Sequence, residues 1–145
     1  MFWGSYDHVL DEKGRTSLPK EYRDLLGDLE SGAWLTAYPS CLILITAAEF
    51  ETQRARMLNP VADTDSVQRL QRMFIGMATP CVFDKAGRIL IPPKLRKWAA
   101  LERDIVFTGC GERIEIWDRS RHEIDMEQTR QNYPQYKRDL QELTR

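Results

Sequence analysis

The sequence has few of the features that membrane-spanning, disulfide-bonded or secreted proteins need. Its longest uninterrupted apolar stretch, Cys41 to Ile45, has the length of a strand, whereas a helix that crosses a bilayer needs about 20 apolar residues. The three cysteines, which include Cys81 and Cys110, are an odd number without C-x-x-C spacing, so we expect free, buried thiols. The first residues show no basic segment followed by an apolar one, so we expect no secretory signal. These absences predict a cytoplasmic globular protein without a membrane partner.

The sequence also lacks the motifs of common enzymes. It has no H-E-x-x-H, no G-x-x-x-x-G-K-[ST] and no G-x-G-x-x-G, so metal, P-loop and dinucleotide sites are not indicated. Asp11 and Asp84 could form a carboxylate dyad, but each lies four residues from an arginine that keeps it ionised. The two histidines, His8 and His122, are expected to be packing or surface residues. We therefore predict no catalytic residue, no metal, no cofactor and no small-molecule substrate.

An excess of positive charge is missing as well, because the formal net charge is −1 and the isoelectric point is about 6.1. A nucleic-acid-binding domain is usually basic. The charge is unevenly distributed, however: residues 11–23 have four cations against three acids, and residues 84–97 have five cations against Asp84 alone. Because the local patch decides electrostatic affinity for DNA, the net charge conceals a basic face. This distribution predicts that the second segment contributes more of the salt-dependent affinity.

What the sequence does contain is an internal repeat. Residues 11–19 read "DEKGRTSLP" and residues 84–92 read "DKAGRILIP". An offset of 73 aligns the two motifs and the apolar positions around them, and an offset of 72 aligns the hairpins that follow. Each copy predicts a strand, a tight glycine turn, a strand, a short helix, a hairpin and a longer helix. We predict a first copy over residues 1–58, a connecting helix over 59–76 and a second copy over 77–145.

Several local features can be placed on these elements. Gly14 supplies the positive φ of the first turn, and Gly27 ends the helix that begins at residue 20. Thr46 and Asp118 are expected to cap the helices that follow the hairpins. In the connecting helix, the apolar residues recur at near-helical spacing: Val67, Leu70, Phe74 and Met77.

Aromatic residues mark the expected core. We expect Trp34, Phe107 and Trp117 to be buried in strands, and Trp98 to lie in the core or in an interface. Phe2 and Trp3 are harder to bury locally, and packing against a neighbouring subunit is an equal alternative for them. Strands of four to six residues cannot bury both faces alone. The fold class is therefore α+β, with the two copies interlocked in one compact barrel-like body with peripheral helices.

Arg15 and Arg88 each follow the turn glycine, so each is expected at a loop tip. A local ion pair with Asp11 or Asp84 is one interpretation, and such a pair contributes little when exposed. A turn needs glycine but not an adjacent arginine, so the repetition favours a role in binding phosphates or guanine edges. The aspartates would hold the turns and aim the arginines. Phosphate-directed support is expected from four lysines: Lys13, Lys20, Lys85 and Lys94.

These residues resemble the MraZ family of bacterial transcriptional regulators, whose halves each resemble the AbrB-type swapped-hairpin fold. The motifs that carry the resemblance are "MFWG", "LDEKGRTSLPKEYR", "VQRLQRMFIGMATPCVFDKAGRILIPPKLR" and "RIEIWD". The resemblance implies two pseudo-symmetric swapped-hairpin β units, and DNA-contacting loops formed by Asp11, Arg15, Asp84 and Arg88. It also implies a ring-shaped homo-oligomer on short direct repeats in promoter DNA, which usually represses a cell-division and cell-wall gene cluster that includes its own gene.

Two points qualify the resemblance. Trp3 stands where the family usually has a smaller or basic residue, so a DNA role is not carried over to that position, and nothing is carried over to the charged tail after residue 119. The alternative function is an oligomeric scaffold or an antitoxin-like interaction module that does not bind DNA. An antitoxin of that type usually has one such unit and a disordered tail, whereas this chain has two units and little sequence typical of disorder. The expected location is the cytoplasm, at the nucleoid.

Overall fold

The computed structural model describes residues 1–26, 32–59 and 62–144. Within these ranges it contains short strands and peripheral helices in the order that the repeat predicted. The strands are β1 Ser5–Val9, β2 Arg15–Ser17, β3 Ala33–Ala37, β4 Leu42–Thr46, β5 Thr79–Cys81, β6 Arg88–Leu90, β7 Asp104–Cys110 and β8 Arg113–Asp118. The helices are α1 Lys20–Leu26, α2 Ala47–Leu58, α3 Asp65–Leu70, α4 Pro93–Trp98, α5 Arg119–Gln131 and α6 Tyr133–Leu143.

Strands of both copies are combined in one antiparallel sheet with the order β1-β7-β8-β4-β3-β5, in which β8 of the second copy pairs with β4 of the first. Strand β1 of the first copy pairs with β7 of the second, and β5 of the second copy pairs with β3 of the first. The remaining strands, β2 and β6, pair with each other across the copies and form a separate two-stranded ribbon. The two copies therefore interlock, as the short strands predicted.

The sequence predicted a barrel-like body, and this prediction is wrong: the described strands form an open sheet. Strands β1 and β5 are the two edges of the sheet and do not pair with each other. A barrel needs its edge strands to meet in a continuous ladder, and β5 has only three residues, one of which is Pro80 without a ladder donor. The β2–β6 ribbon instead buries Ile89 in the core of the open sheet.

The core has two parts, one on each face of the sheet. The larger part combines apolar side chains from both copies, including the fully buried Leu35, Phe107 and Ile116. The smaller part lies beneath α2, where the Phe50 ring stacks on Trp34 with a centroid separation of 4.3 Å and on Phe74 with one of 5.5 Å. The larger cluster therefore depends on apolar surface from both copies, whereas the buried residues of the smaller cluster come from the first copy and the connecting helix.

The connecting helix was predicted over residues 59–76, but in the structure it begins at Asp65, after the capping residue Thr64. Its predicted apolar stripe is only partly buried. Beyond α3 the helix continues in a wider π-helical turn over Gln71–Ile75, in which the Gly76 N–H donates to the Gln71 carbonyl at 3.0 Å. A π turn adds one residue per turn and shifts the helical phase. Leu70 is consequently 48% exposed, whereas Phe74 is 2% exposed.

The predicted helix caps have different outcomes. The Thr46 hydroxyl accepts a hydrogen bond from the Glu49 N–H at 3.1 Å, which confirms it as the cap of α2. Asp118 occupies the capping position of α5 but makes no capping hydrogen bond. Its carboxylate accepts from the Glu102 N–H at 3.3 Å instead, because the start of β7 lies beside the end of β8. The predicted stop at Gly27 lies outside the described residues.

The aromatic predictions are mostly confirmed. Phe107 and Trp117 are buried, and Trp34 is partly buried against Phe50. Trp98 is 41% exposed, although its indole N–H donates to the Tyr38 carbonyl at 2.6 Å.

The two aromatic residues at the start of the chain have different environments. Phe2 is buried within its own chain, edge-on to the Tyr22 ring at 5.8 Å, whereas Trp3 is 71% exposed. All three cysteines are free, and burial raises the pKa of the partly buried Cys81 thiol to about 12. Among the described residues, no helix is both long and apolar enough to span a membrane.

Candidate nucleic-acid interface

The first glycine turn, residues 11–15, is called loop 1. The Asp11 carboxylate accepts two hydrogen bonds, from the Lys13 N–H at 2.9 Å and from the Arg15 N–H at 2.8 Å. The Gly14 N–H donates to the Asp11 carbonyl at 3.0 Å, and Gly14 has a φ of +85°. A side-chain oxygen that accepts from the following backbone is a typical way to fix a turn. Asp11 therefore holds the backbone from which Arg15 projects.

The second turn, residues 84–88, is called loop 2 and repeats this geometry. The Asp84 carboxylate accepts from the Ala86 N–H and from the Arg88 N–H, both at 2.9 Å. The Gly87 N–H donates to the Asp84 carbonyl at 3.0 Å, and Gly87 has a φ of +76°. The same residue types at the same spacing therefore produce the same turn, and each turn ends in an arginine at the start of a ribbon strand.

Both turn aspartates are held in the ionised form. The pKa of the Asp11 carboxyl is lowered mainly by the hydrogen bond from the Arg15 N–H, and the positive charge of Arg88 lowers it further. The pKa of the Asp84 carboxyl is lowered mainly by the hydrogen bond from the Arg88 N–H. The influence of Arg88 on Asp11 indicates that the two loops lie close enough to share one electrostatic environment.

The ribbon brings the two arginines onto one face. Arg15 lies opposite Leu90, and Ser17 lies opposite Arg88. Side chains that are directly opposed across two strands project from the same face, and alternate residues project from opposite faces. The inner residues between them are buried: Thr16 and Ile89 are 2% and 1% exposed. The outward face of the ribbon consists of four side chains: Arg15, Ser17, Arg88 and Leu90.

The two guanidinium groups are paired differently with their aspartates. The Arg88 Nε donates to Asp84 Oδ2 at 2.9 Å. The Arg15 Nε lies 3.4 Å from Asp11 Oδ2, makes no hydrogen bond and is buried. Within the described ranges, neither arginine uses its terminal nitrogens in an intramolecular hydrogen bond. These nitrogens form the planar fork that binds phosphates or guanine edges in a bidentate manner.

Each loop is covered by an arginine from the other copy, a feature that the sequence interpretation missed. A Cβ atom on Gly14 would lie 2.7 Å from Arg96 Nε, and one on Gly87 would lie 2.5 Å from Arg23 Nη1. Arg96 also donates from Nε to the Ile91 carbonyl at 3.0 Å. Arg23 and Arg96 are equivalent under the offset of 73. This equivalence could have identified the two arginines as a functional pair from the sequence. Only the pairing of β2 with β6 shows that each arginine crosses to the opposite loop.

Because of this exchange, Arg96 and Lys97 of α4 lie at the loop 1 end of the ribbon, although they follow loop 2 in the sequence. Helix α4 follows β6 but lies beside loop 1, where Asp11, Glu12, Arg96 and Lys97 line one cleft. Helix α4 has three cations and no acid, whereas α1, beside loop 2, has two cations and two acids. The sequence grouped Lys94 with loop 2, but in the structure its helix adjoins loop 1. The second segment is therefore not a single basic patch.

The predicted support lysines are distributed over both ends of the ribbon. Lys13 lies in loop 1, Lys85 in loop 2, Lys20 on α1 and Lys94 on α4. None of these four lysines forms an ion pair within the part of the chain that the structure describes, where every ion pair uses an arginine. Their ammonium groups thus have no acidic partner in those ranges.

The histidines have packing environments, as predicted. His8 packs edge-on to Phe107 at 5.2 Å, and burial is the largest cause that lowers its pKa. His122 lies 3.2 Å from the Thr108 hydroxyl and packs edge-on to Trp117 at 5.8 Å. No group of three or more His, Cys, Asp or Glu side chains with metal-binding proximity occurs among the described residues.

Comparison with known proteins agrees with the repeat. The family model described as "MraZ protein, putative antitoxin-like" matches the chain twice, over residues 1–72 and 73–143. Three similar proteins are each named "Transcriptional regulator MraZ". The protein of Geobacter sulfurreducens is 35% identical over 158 residues, which cover 99% of both chains. That of Lachnoclostridium phytofermentans is 39% identical over 123 residues and 85% of both chains.

The third relative, from Thioalkalivibrio sulfidiphilus, is 40% identical over 121 residues, which cover 81% of this chain and 80% of the relative. The family model and these relatives together cover both glycine turns and both hairpins. They confirm the resemblance that the two D-x-x-G-R motifs indicated. The chain therefore belongs to the MraZ family.

Proposed function

We propose that this chain is a transcriptional regulator that binds double-stranded DNA through the outward face of the β2–β6 ribbon. The family relatives are named as transcriptional regulators, which supports the general role. The finer part of the proposal is repression of a cell-division and cell-wall gene cluster that includes the chain's own gene. The chain would act in the cytoplasm, at the nucleoid, as a ring-shaped homo-oligomer on short direct repeats.

The observation that carries the proposal is the pair of arginines on one face of a two-stranded ribbon. Arg15 and Arg88 both begin their strands, and both are anchored at the backbone by an aspartate. Because the turns fix the backbone, less conformational entropy is lost when the guanidinium groups bind. A ligand with regularly spaced anionic or acceptor groups fits this arrangement.

The dimensions of DNA fit the ribbon. The major groove of B-DNA admits a two-stranded β-ribbon, and guanine presents its O6 and N7 acceptors there for a bidentate arginine. With the Arg88 Nε held by Asp84 at 2.9 Å, the terminal nitrogens are left for such an acceptor. The lysines at both ends of the ribbon would contact the flanking phosphates, which fix orientation without reading sequence.

The multimeric part of the proposal follows from the modest charge. One subunit offers a few cations on an overall chain charge of −1, and such a patch alone predicts weak binding. Repeated subunits on repeated DNA sites raise the apparent affinity by converting later contacts into intramolecular ones. We also propose that the exchange of strands between the two copies corresponds to the AbrB-type swapped hairpin.

A second candidate is an oligomeric scaffold or an antitoxin-like module that binds protein rather than DNA. One observation favours it: no residue of α5 or α6 is buried, and several apolar side chains there are exposed, among them Ile124, Tyr136 and Leu140. Exposed apolar groups on helices are common in protein interfaces. They are compatible with the DNA-binding proposal when the interface joins copies of this chain.

A gel-shift titration against the DNA upstream of the chain's own gene tests the proposal. The wild-type chain is expected to shift this DNA, with an affinity that falls steeply as salt rises. Arg15→Ala and Arg88→Ala are expected to abolish the specific shift while circular dichroism and thermal unfolding remain close to those of the wild type. Unchanged binding by both variants, or no shift at any salt concentration, would overturn the proposal and favour the scaffold.

A further inference from the structure

The pseudo-symmetry of the ribbon is broken at one outward position. The offset of 73 relates Arg15 to Arg88 and Ser17 to Leu90. Both arginines are retained, but the companion on the same face is a small polar residue in β2 and a large apolar one in β6. Leu90 is 56% exposed, directly opposite Arg15. An exposed leucine between two arginines gains little from packing in the free chain, because more than half of its surface faces solvent.

We propose that Leu90 is a specificity-determining residue that contacts the 5-methyl group of a thymine beside the base read by Arg15. This inference rests on the proposed function, because it assumes that the ribbon enters the major groove. The thymine methyl lies in that groove, on the same side as the guanine acceptors that arginine recognises. Ser17, which occupies the equivalent position beside Arg88, is small and polar and offers no comparable apolar surface to a methyl group.

The geometry supports the pairing of these contacts. Because Arg15 and Leu90 are directly opposed, their Cβ atoms are separated by about 5 Å, which is close enough for the two side chains to reach neighbouring bases. The backbone hydrogen bond from the Ile91 N–H to the Gly14 carbonyl, at 2.8 Å, fixes the two strands at this end of the ribbon. Leu90 therefore has a defined position relative to the anchored loop 1.

The equivalent residue Ser17 is already engaged on its own side. Its hydroxyl lies 3.4 Å from His8 Nδ1, whereas the residue equivalent to His8 in the second copy is Cys81. The polar pair of Ser17 and His8 therefore has no polar counterpart in the second copy, where Leu90 and Cys81 occupy the equivalent positions. The two halves of the DNA site are therefore expected to differ. Only the half that Arg15 and Leu90 contact should require a thymine methyl group.

The test uses duplexes of one sequence, selected by the wild-type chain from random DNA and synthesised with either thymine or uracil, which lacks the methyl group. The wild-type chain is expected to bind the uracil duplex about fourfold more weakly for each contacted methyl. Leu90→Ser should bind both duplexes equally, at the level of the wild type on uracil DNA. Ser17→Leu is the matched control, and it should retain or increase the preference for thymine.

The outcomes separate this inference from the proposed function. Equal binding of both duplexes by the wild type, or a thymine preference that persists in Leu90→Ser, would overturn the role of Leu90. If the arginine variants still lose binding in that case, the DNA-binding proposal stands without it. If Arg15→Ala and Arg88→Ala bind like the wild type, the proposed function itself fails. If the unfolding temperature of Leu90→Ser is close to that of the wild type, any change in its DNA affinity reflects a lost contact with DNA and not a loss of folding.

Discussion

Loop 1 and loop 2 have almost the same local geometry but different surroundings. In each loop an aspartate accepts two backbone hydrogen bonds and a glycine has a positive φ. Loop 1 is tied to the opposite strand by the bond between Ile91 and Gly14 and adjoins the wholly basic α4. Loop 2 has the closer ion pair between Asp84 and Arg88, and adjoins α1 with its mixed charges. The short motif determines the turn, and the exchanged partner determines its environment.

The difference shows how strand exchange redistributes charge. In sequence, Arg96 and Lys97 follow loop 2, but the antiparallel pairing of β2 with β6 turns the chain so that they lie beside loop 1. Three pairs of variants and one pH experiment can test whether this contrast between the loops has measurable consequences.

The largest effect is expected from alanine at the two turn glycines. In Gly14→Ala the new Cβ would lie 2.8 Å from the Ile91 carbonyl, which belongs to the backbone, whereas in Gly87→Ala its three nearest atoms all belong to the side chain of Arg23. A positive φ costs a non-glycine residue about 1–2 kcal/mol, and overpacking against a fixed group adds about 1–3 kcal/mol. Urea unfolding should therefore show a larger loss of stability for Gly14→Ala. An equal or reversed order would contradict the tighter attachment of loop 1.

The next effect concerns how the aspartates orient the arginines. Asparagine keeps an oxygen that can accept the turn hydrogen bonds but removes the charge that holds the arginine Nε. Because the Nε of Arg88 is hydrogen-bonded to its aspartate and that of Arg15 is not, Asp84→Asn is expected to weaken DNA binding by about tenfold, the value of one charge-assisted hydrogen bond. Asp11→Asn should have a smaller effect. Gel-shift titrations of both variants at one salt concentration decide this, and a larger loss for Asp11→Asn would reverse the assignment.

A smaller effect is expected from the helix charges. Glu21 on α1 and Lys94 on α4 are equivalent under the offset of 73, which makes them a matched pair for neutral glutamine variants. If Lys94 contacts a phosphate, Lys94→Gln should reduce the slope of log affinity against log salt by about 1. Glu21→Gln removes a repelling charge without adding a contact, so its slope should stay near that of the wild type. A slope that is unchanged in Lys94→Gln contradicts a phosphate contact from α4.

The smallest effect is the acid sensitivity of the turns. The pKa values of Asp11 and Asp84 are lowered in the fold, so the unfolded chain binds more protons at acidic pH. Their stabilising contribution is complete above the unfolded value of about 3.8 and is lost as the pH falls toward the lower folded values. Thermal unfolding between pH 5 and pH 2, a range set by the ordinary carboxyl pKa, should be less pH-dependent in the Asp11→Asn/Asp84→Asn double variant. The same pH dependence in both proteins would contradict this linkage.

Much of the fold follows from patterns that act over short distances. The repeat predicted both turns, and the position of Thr46 predicted the cap of α2, because a turn or cap depends on a few neighbouring residues. The π-helical turn before Gly76 could not be predicted from periodicity, since it is stabilised by tertiary packing of Phe74 against Phe50. Asp118 likewise bonds to the distant Glu102 rather than to its own helix.

The candidate interface was predictable only in part for the same reason. The motifs identified the residues at both loop tips, Arg15 and Arg88. They did not reveal that Leu90 and Ser17 share the outward face with these arginines, because that depends on the register of strands that are 73 residues apart. No short turn joins these two strands to fix their register, and a shift of one residue would move every side chain to the other face.

Site-specific photocrosslinking tests the central claim most directly. A photoreactive side chain is introduced either at Leu90, on the outward face of the ribbon, or at Ile124, an exposed residue of α5. Each protein is then irradiated with labelled DNA from upstream of the chain's own gene. Crosslinks are predicted from position 90 and not from position 124. Crosslinks from position 124 alone, with none from position 90, would contradict a DNA-binding role for the β2–β6 ribbon.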